Sequence, residues 1–105
     1  MERMVFELES GAAPGARRPA VVVGVVASGN LEVLVEPAPA PGRCHVEVAT
    51  TVSGFREIWE AVLRDFAARR PVAGLALSVN DAGATPAVVG LRLDQAVEEY
   101  LGQAA

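Results

Sequence analysis

Apolar and polar positions alternate with a period of two through much of the first half of the chain, then switch to helical spacing. Met4, Phe6 and Leu8 fall on one side of a short run, with Val5, Glu7 and Glu9 on the other, which predicts an edge strand. Ala20 to Ala27 is continuously apolar and β-branched. That run predicts a central strand covered on both faces, with Gly24 marking a bulge or a close backbone approach. Leu31, Val33 and Val35 then alternate with Glu32, Leu34 and Glu36, and the segment from Arg43 to Thr51 puts Cys44, Val46, Val48 and Thr50 opposite His45 and Glu47. Both are strands with one apolar face. From Ser53, a candidate cap, Phe55, Ile58, Trp59, Val62 and Phe66 recur at helical spacing to about Arg69, and Glu60 and Arg64 are set four apart on the outer face. Leu75, Leu77 and Val79 form a further strand that ends at Asn80-Asp81-Ala82-Gly83. Thr85-Pro86 opens a last helix with an oxygen cap and a proline in the first turn, carrying Val89, Leu93, Ala96, Val97, Tyr100 and Leu101 on one face. Val89, Leu91 and Leu93 also alternate, so a strand to Leu93 with a shorter helix behind it is the competing reading, and Gly90 keeps it open.

The predicted order is β-β-β-β-α-β-α. Hairpins first and helices later define an α+β fold: a two-layer sandwich whose mixed, mostly antiparallel sheet of four or five strands carries two helices on one face. The strand at Leu75 is expected to pair in parallel with the strand at Val46 after the first helix. At 105 residues the whole chain, 1–105, reads as one domain. Two Gly/Pro-rich stretches, 10–19 and 37–42, read as flexible loops.

Composition narrows the chemistry. Hydrophobic residues make up 51% of the chain and aromatics 5%, so the core is built from Val, Leu and Ala and offers no aromatic cage. All nine basic residues are Arg and the net charge is −4, which leaves no basic stripe for nucleic acid and no lysine for Schiff-base chemistry. One Cys and one His cannot make a zinc site or an internal disulfide. No apolar run approaches the roughly 20 residues of a membrane span, and the expected location is the cytoplasm. Cys44 and His45 point to opposite faces of a strand, so they do not form a nucleophile–base pair. Asp94, Glu98 and Glu99 are helix-surface charges, and Gly83-Ala84-Thr85 lacks the spacing and lysine of a phosphate-binding loop. Catalysis by this chain alone is disfavoured.

What remains is the stretch around Ser28. Two β-rich runs flank Gly29-Asn30, a pair suited to a tight hairpin turn, which sets Ser28 at an accessible tip. A serine there is by itself a turn residue.

Three segments give it more weight: Ala27-Ser28-Gly29-Asn30-Leu31-Glu32-Val33-Leu34, Asn80-Asp81-Ala82-Gly83-Ala84-Thr85-Pro86, and Leu91-Arg92-Leu93-Asp94-Gln95-Ala96. Together, in order and over about residues 20 to 101, they resemble the acyl carrier (δ) subunits of biotin-independent malonate decarboxylase, and more distantly the acyl carrier subunit of citrate lyase. The resemblance implies that Ser28 carries 2′-(5″-phosphoribosyl)-3′-dephospho-CoA through a phosphodiester, with Gly29 and Asn30 supporting the attachment turn. It implies that the terminal thiol of that arm holds acetyl or malonyl. The partners it implies are acyl transferase (alpha) and decarboxylase (beta, gamma) subunits, a prosthetic-group transferase and a malonyl/acetyl transacylase. Asn30 stands where turns of that family more often carry Asp. Two other readings stay beside it: an unmodified structural subunit of a larger complex, and the carrier of a citrate lyase-like enzyme.

Overall fold

A computed structural model describes residues 1–14, 21–25, 28–38 and 42–102, and of residues 21–25 and 28–30 it describes the backbone. Seven elements follow one another: β1 (Glu2–Leu8), β2 (Val21–Val25), β3 (Ser28–Pro37), β4 (Cys44–Thr50), α1 (Arg56–Arg69), β5 (Leu75–Asp81) and α2 (Pro86–Leu101). This is the β-β-β-β-α-β-α order that the patterning predicts. The five strands form one sheet in the order β1-β4-β5-β3-β2. β4 and β5 run parallel, as expected of strands joined through a helix, and the other three pairs are antiparallel.

Alternation decides which face is covered. Met4, Phe6 and Leu8 of β1, Cys44, Val46 and Val48 of β4, Leu75, Leu77 and Val79 of β5, and Leu31, Val33 and Val35 of β3 are all buried. They meet Trp59, Leu63, Phe66 and Ala67 of α1 and Val89, Leu93, Ala96, Val97 and Tyr100 of α2 in one core. The opposite face carries Val5, Glu7 and Glu47 into solvent, which makes the domain two layers. α2 packs over β3 and β2, and α1 lies toward β1, where the Arg56 guanidinium sits 4.9 Å from the centre of the Phe6 ring.

Three expectations change, and one open alternative closes. β2 is an edge strand and not a central one, because β5 enters the sheet between β4 and β3 and leaves β2 with β3 as its partner. An apolar run reads the same at either position. Ser53 does not cap α1: Gly54 adopts φ +91°, which sets Ser53 outside the first turn. Phe55 occupies the cap position without a side-chain bond. Gly54 N–H instead donates to Glu2 Oε1 at 3.1 Å, tying the helix start to β1. The face of α1 is also rotated from the predicted one, with Leu63 and Ala67 buried and Phe55 and Ile58 each 46% exposed. At α2 the helical reading prevails over a strand to Leu93: Thr85 Oγ1 accepts from Val88 N–H at 3.3 Å and Gly102 closes the helix in the left-handed region at φ 70°.

The described part of the 10–19 stretch is docked. Ser10 Oγ lies 2.8 Å from the carbonyls of Ala67 and Arg70 and accepts from Val72 N–H at 3.0 Å, so one hydroxyl serves the end of α1 and the entry to β5. Ala13 N–H donates to Ala73 O and Ala73 N–H to Gly11 O. The rest of that stretch, with Arg17 and Arg18, and residues 39–41 of the second, lie outside the described residues. At the far end of α1, Arg70 reaches across to α2, donating to Asp94 Oδ1 and Glu98 Oε1 at 2.8 Å each.

Candidate functional site

Ser28 is the first residue of β3 and pairs with Val25 across the β2–β3 hairpin. The reversal therefore falls between Val25 and Ser28, three positions earlier than the Gly29-Asn30 turn expected from the sequence. Val26 and Ala27 lie outside the described residues. Gly29 and Asn30 belong to β3, where they serve an irregular pairing. Val23 faces Val33 and Val25 faces Ser28, so Gly24 alone on β2 stands against Gly29, Asn30, Leu31 and Glu32 on β3. Gly24 thus sits at the bulge that its place in an apolar run predicts, and a glycine and an asparagine opposite it are the residue types that bend with least steric cost.

The end of the sheet locates the serine. β5 ends at Asp81, whose partner on β3 is Leu31, and Asp81 also pairs with Thr50 at the end of β4. Ser28, Gly29 and Asn30 consequently run past the end of β5, by about 10 Å at an extended rise per residue. They do so at the same end of the sheet as the starts of α1 and α2, which follow β4 and β5.

Asp81 organises that end. The residue is 6% exposed, and its carboxylate accepts from the Thr50 hydroxyl at 2.8 Å, from Gly83 N–H at 3.1 Å and from Ala84 N–H at 2.9 Å. Thr50 Oγ1 in turn accepts from Val52 N–H at 3.1 Å. One buried carboxylate thus holds the turn into α2 and, through Thr50, the exit from β4, with Gly83 at φ +100° making the turn. Sequence reasoning treats Asn80-Asp81-Ala82-Gly83 as a strand terminator, and the Asp-x-Gly spacing is the signal for this turn.

Beside it lies a groove of about 290 Å³ between the first turns of the two helices. Val52, Phe55, Ile58 and Trp59 form one wall, Pro86 and Val89 the other, and Asp81 and Thr50 lie at its base. The patterning missed it because it assigned Phe55 and Ile58 to the core.

Cys44 and His45 are kept apart as expected. Cys44 is fully buried, and burial, with a smaller contribution from the Glu7 charge, pushes its thiol up to about 12. A thiol in that state is not a nucleophile at neutral pH. His45 lies on the open face between Glu47, whose Oε2 is 2.9 Å from Nε2, and Glu7, which meets Nδ1. Hydrogen bonds first to Glu47 and then to Glu7 raise the imidazole above its usual value. Among the described residues no group of His, Cys, Asp and Glu could hold a metal ion.

The chain is 52% identical over 101 residues to the malonate decarboxylase acyl carrier protein of Stenotrophomonas maltophilia strain K279a, covering 96% of this chain and 95% of that one. It is 50% identical to the protein of the same description from Acinetobacter calcoaceticus, over 98% of this chain and 100% of that one. A chain in the crystal structure of a Pseudomonas malonate decarboxylase hetero-tetramer in complex with malonate superposes with a TM-score of 0.80 and 42% identity, over 95% of this chain and 99% of that chain. With these relatives, the small two-layer domain is an acyl carrier subunit, a carrier and not a catalytic chain. The profile of one family, the malonate decarboxylase delta subunit (MdcD), matches residues 18–100, and the chain belongs to that family.

Proposed function

We propose that this chain is the acyl carrier of a malonate decarboxylase, and that its covalent anchor is Ser28, bearing 2′-(5″-phosphoribosyl)-3′-dephospho-CoA. The observation that carries the reading is the place of Ser28: it opens β3 beyond the end of β5, at the close of a hairpin and inside the span that matches the family. A primary hydroxyl is the group a phosphodiester needs, and a strand that outruns its neighbour gives a modifying enzyme room to reach it. When attached, the group supplies a terminal thiol that carries acetyl or malonyl as a thioester. The protein's own part is mechanical. The β2–β3 ribbon, with its irregular register between Val23 and Val25, holds the anchor at one end of the sheet, and the Asp81 turn ties down the neighbouring loop. Tethering raises the effective concentration of the acyl group at each partner's active site to about the millimolar range.

The partners under this reading are the acyl transferase (alpha) and decarboxylase (beta, gamma) subunits, with a prosthetic-group transferase and a malonyl/acetyl transacylase serving the arm. The hetero-tetrameric assembly of the structural relative supports other subunits as neighbours. Among the described residues no helix is long and apolar enough to cross a membrane, which agrees with work in the cytoplasm. The whole chain, 1–105, acts as one carrier domain.

The test is a complex assembled with Ser28→Ala. The carrier reading expects assembly to survive, since Ser28 lies past the end of β5 and the substitution removes one hydroxyl, and malonate turnover to vanish. Turnover at the wild-type rate with Ser28→Ala would make the chain an unmodified structural subunit.

A further inference from the structure

The groove between α1 and α2 lies at the anchor's end of the sheet. Asp81 at its base is the direct partner of Leu31 on β3, and Ser28 is three positions further along that strand. The path from anchor to groove is thus about 10 Å along β3 and about 5 Å across to β5. The walls combine core residues, Trp59 and Val89, with apolar side chains that the core leaves out: Phe55 and Ile58 at 46% exposed and Val52 at 38%. A volume of about 290 Å³ equals roughly ten water volumes, which suits a thin chain of about ten heavy atoms and not a helix about 10 Å across.

We propose that this groove is the resting site of the arm's own apolar end, the acyl thioester with the methylenes behind its sulfur, folded back onto the carrier between visits to partner subunits. The inference rests on Ser28 bearing the arm. Its chemistry is that of a small-ligand site: apolar walls around a nonpolar segment, with polar groups confined to the base. The tether does the rest. At an effective concentration of about 1 mM, a groove of millimolar affinity is half filled, while a partner's active site with higher affinity still empties it. A thioester lying against Phe55, Ile58 and Trp59 is shielded from water and hydroxide, so its hydrolysis is slowed without any catalytic group being involved.

The experiment compares ¹H–¹⁵N spectra of the bare chain, the acetyl-loaded chain and two loaded variants, Ile58→Asp and Val52→Asp, with intact mass read on each sample. Both variant sites are exposed, and two are used so that one misfolded protein does not decide the outcome. The proposal expects the backbone signals of Val52, Phe55, Ile58, Gly83 and Ala84 to move on loading, independently of protein concentration, and expects either aspartate to abolish those shifts while the added mass is retained. Loaded chain whose shifts stay confined to the hairpin around Ser28 overturns the proposal and leaves the anchor standing. Groove shifts that emerge only when partner subunits are added assign it to protein docking and overturn it as well. A chain that never gains the mass refutes the anchor, and the resting site falls with it.

Discussion

Replacing Asp81 with alanine should loosen the whole end of the sheet that carries Ser28. The carboxylate is buried and accepts three hydrogen bonds, from Thr50 Oγ1, Gly83 N–H and Ala84 N–H. A hydrogen bond to a charged group contributes about 1.5–3 kcal/mol net, and a buried donor left without a partner costs about 1–3 kcal/mol. Gly83 is exposed, so water replaces the carboxylate there at little cost, and Ala84 is partly shielded. Thr50 is 1% exposed, and without the carboxylate its hydroxyl still accepts from Val52 N–H but can donate only to Val52 O, at 3.3 Å. Summing the buried part gives about 2–3 kcal/mol for Asp81→Ala, with the turn at Gly83 the first segment to open. Urea unfolding followed by the fluorescence of Trp59, the single tryptophan, reads this directly. With a slope of about 1–2 kcal/mol per molar, the midpoint should fall by about 1.5 M at unchanged slope. Thr50→Val should cost less, and the double variant should be less destabilised than the sum, because the two share one bond. A midpoint within about 0.3 M of wild type, a difference of about 0.5 kcal/mol, would refute the claim that this carboxylate organises the sheet end.

Two further outcomes follow from titrating groups. His45 is raised by Glu47 and Glu7, so its protonated form is favoured by folding: that contribution to stability is fully present below the ordinary histidine value of about 6.5 and is lost as the pH rises through the raised folded value. Unfolding midpoints should therefore fall from pH 6 upward through that value, and His45→Gln should flatten the curve there. A wild-type profile already flat over that range would contradict it. Cys44, buried and pushed up to about 12, should resist thiol reagents at pH 8 in the native chain and react at once in denaturant. Rapid labelling of the folded protein would show the strand opening at β4.

Much of the fold is legible because β1, β3, β4 and β5 each bury one face. Cys44, Val46 and Val48 against His45 and Glu47 is a period of two that only a half-covered strand explains, and the pairing of β4 with β1, β5 and the core follows it. Thr85-Pro86 announces α2 because the cap and the first-turn proline are local chemistry. Position within the sheet is not local. The apolar run of β2 reads the same at a centre or an edge, and its edge position depends on β5 entering between β4 and β3. The rotated face of α1 has a related cause. Phe55, Ile58 and Val62 share helical spacing with Trp59, and so do Leu63, Phe66 and Ala67; the sheet beneath selects the second set and leaves the first to line a groove.

The site divides in the same way. Ser28 stands out in the sequence by elimination and by resemblance, and its neighbours in the fold were not legible. The Gly-Asn pair has the chemistry of a turn, yet the β2–β3 register spends that freedom on a bulge and reverses the chain earlier. Asp81 reads as a strand end because a carboxylate's role depends on which backbone N–H groups the tertiary structure brings to it.

The central claim is that one hydroxyl of this chain carries its function, and the most direct measurement is the intact mass of the chain isolated from a host grown on malonate. The account predicts an added mass equal to the phosphoribosyl-dephospho-CoA group, mapped to the peptide containing Ser28 and absent from Ser28→Ala. Wild-type chain of bare mass from such a host, or an added group on any other residue, would contradict it.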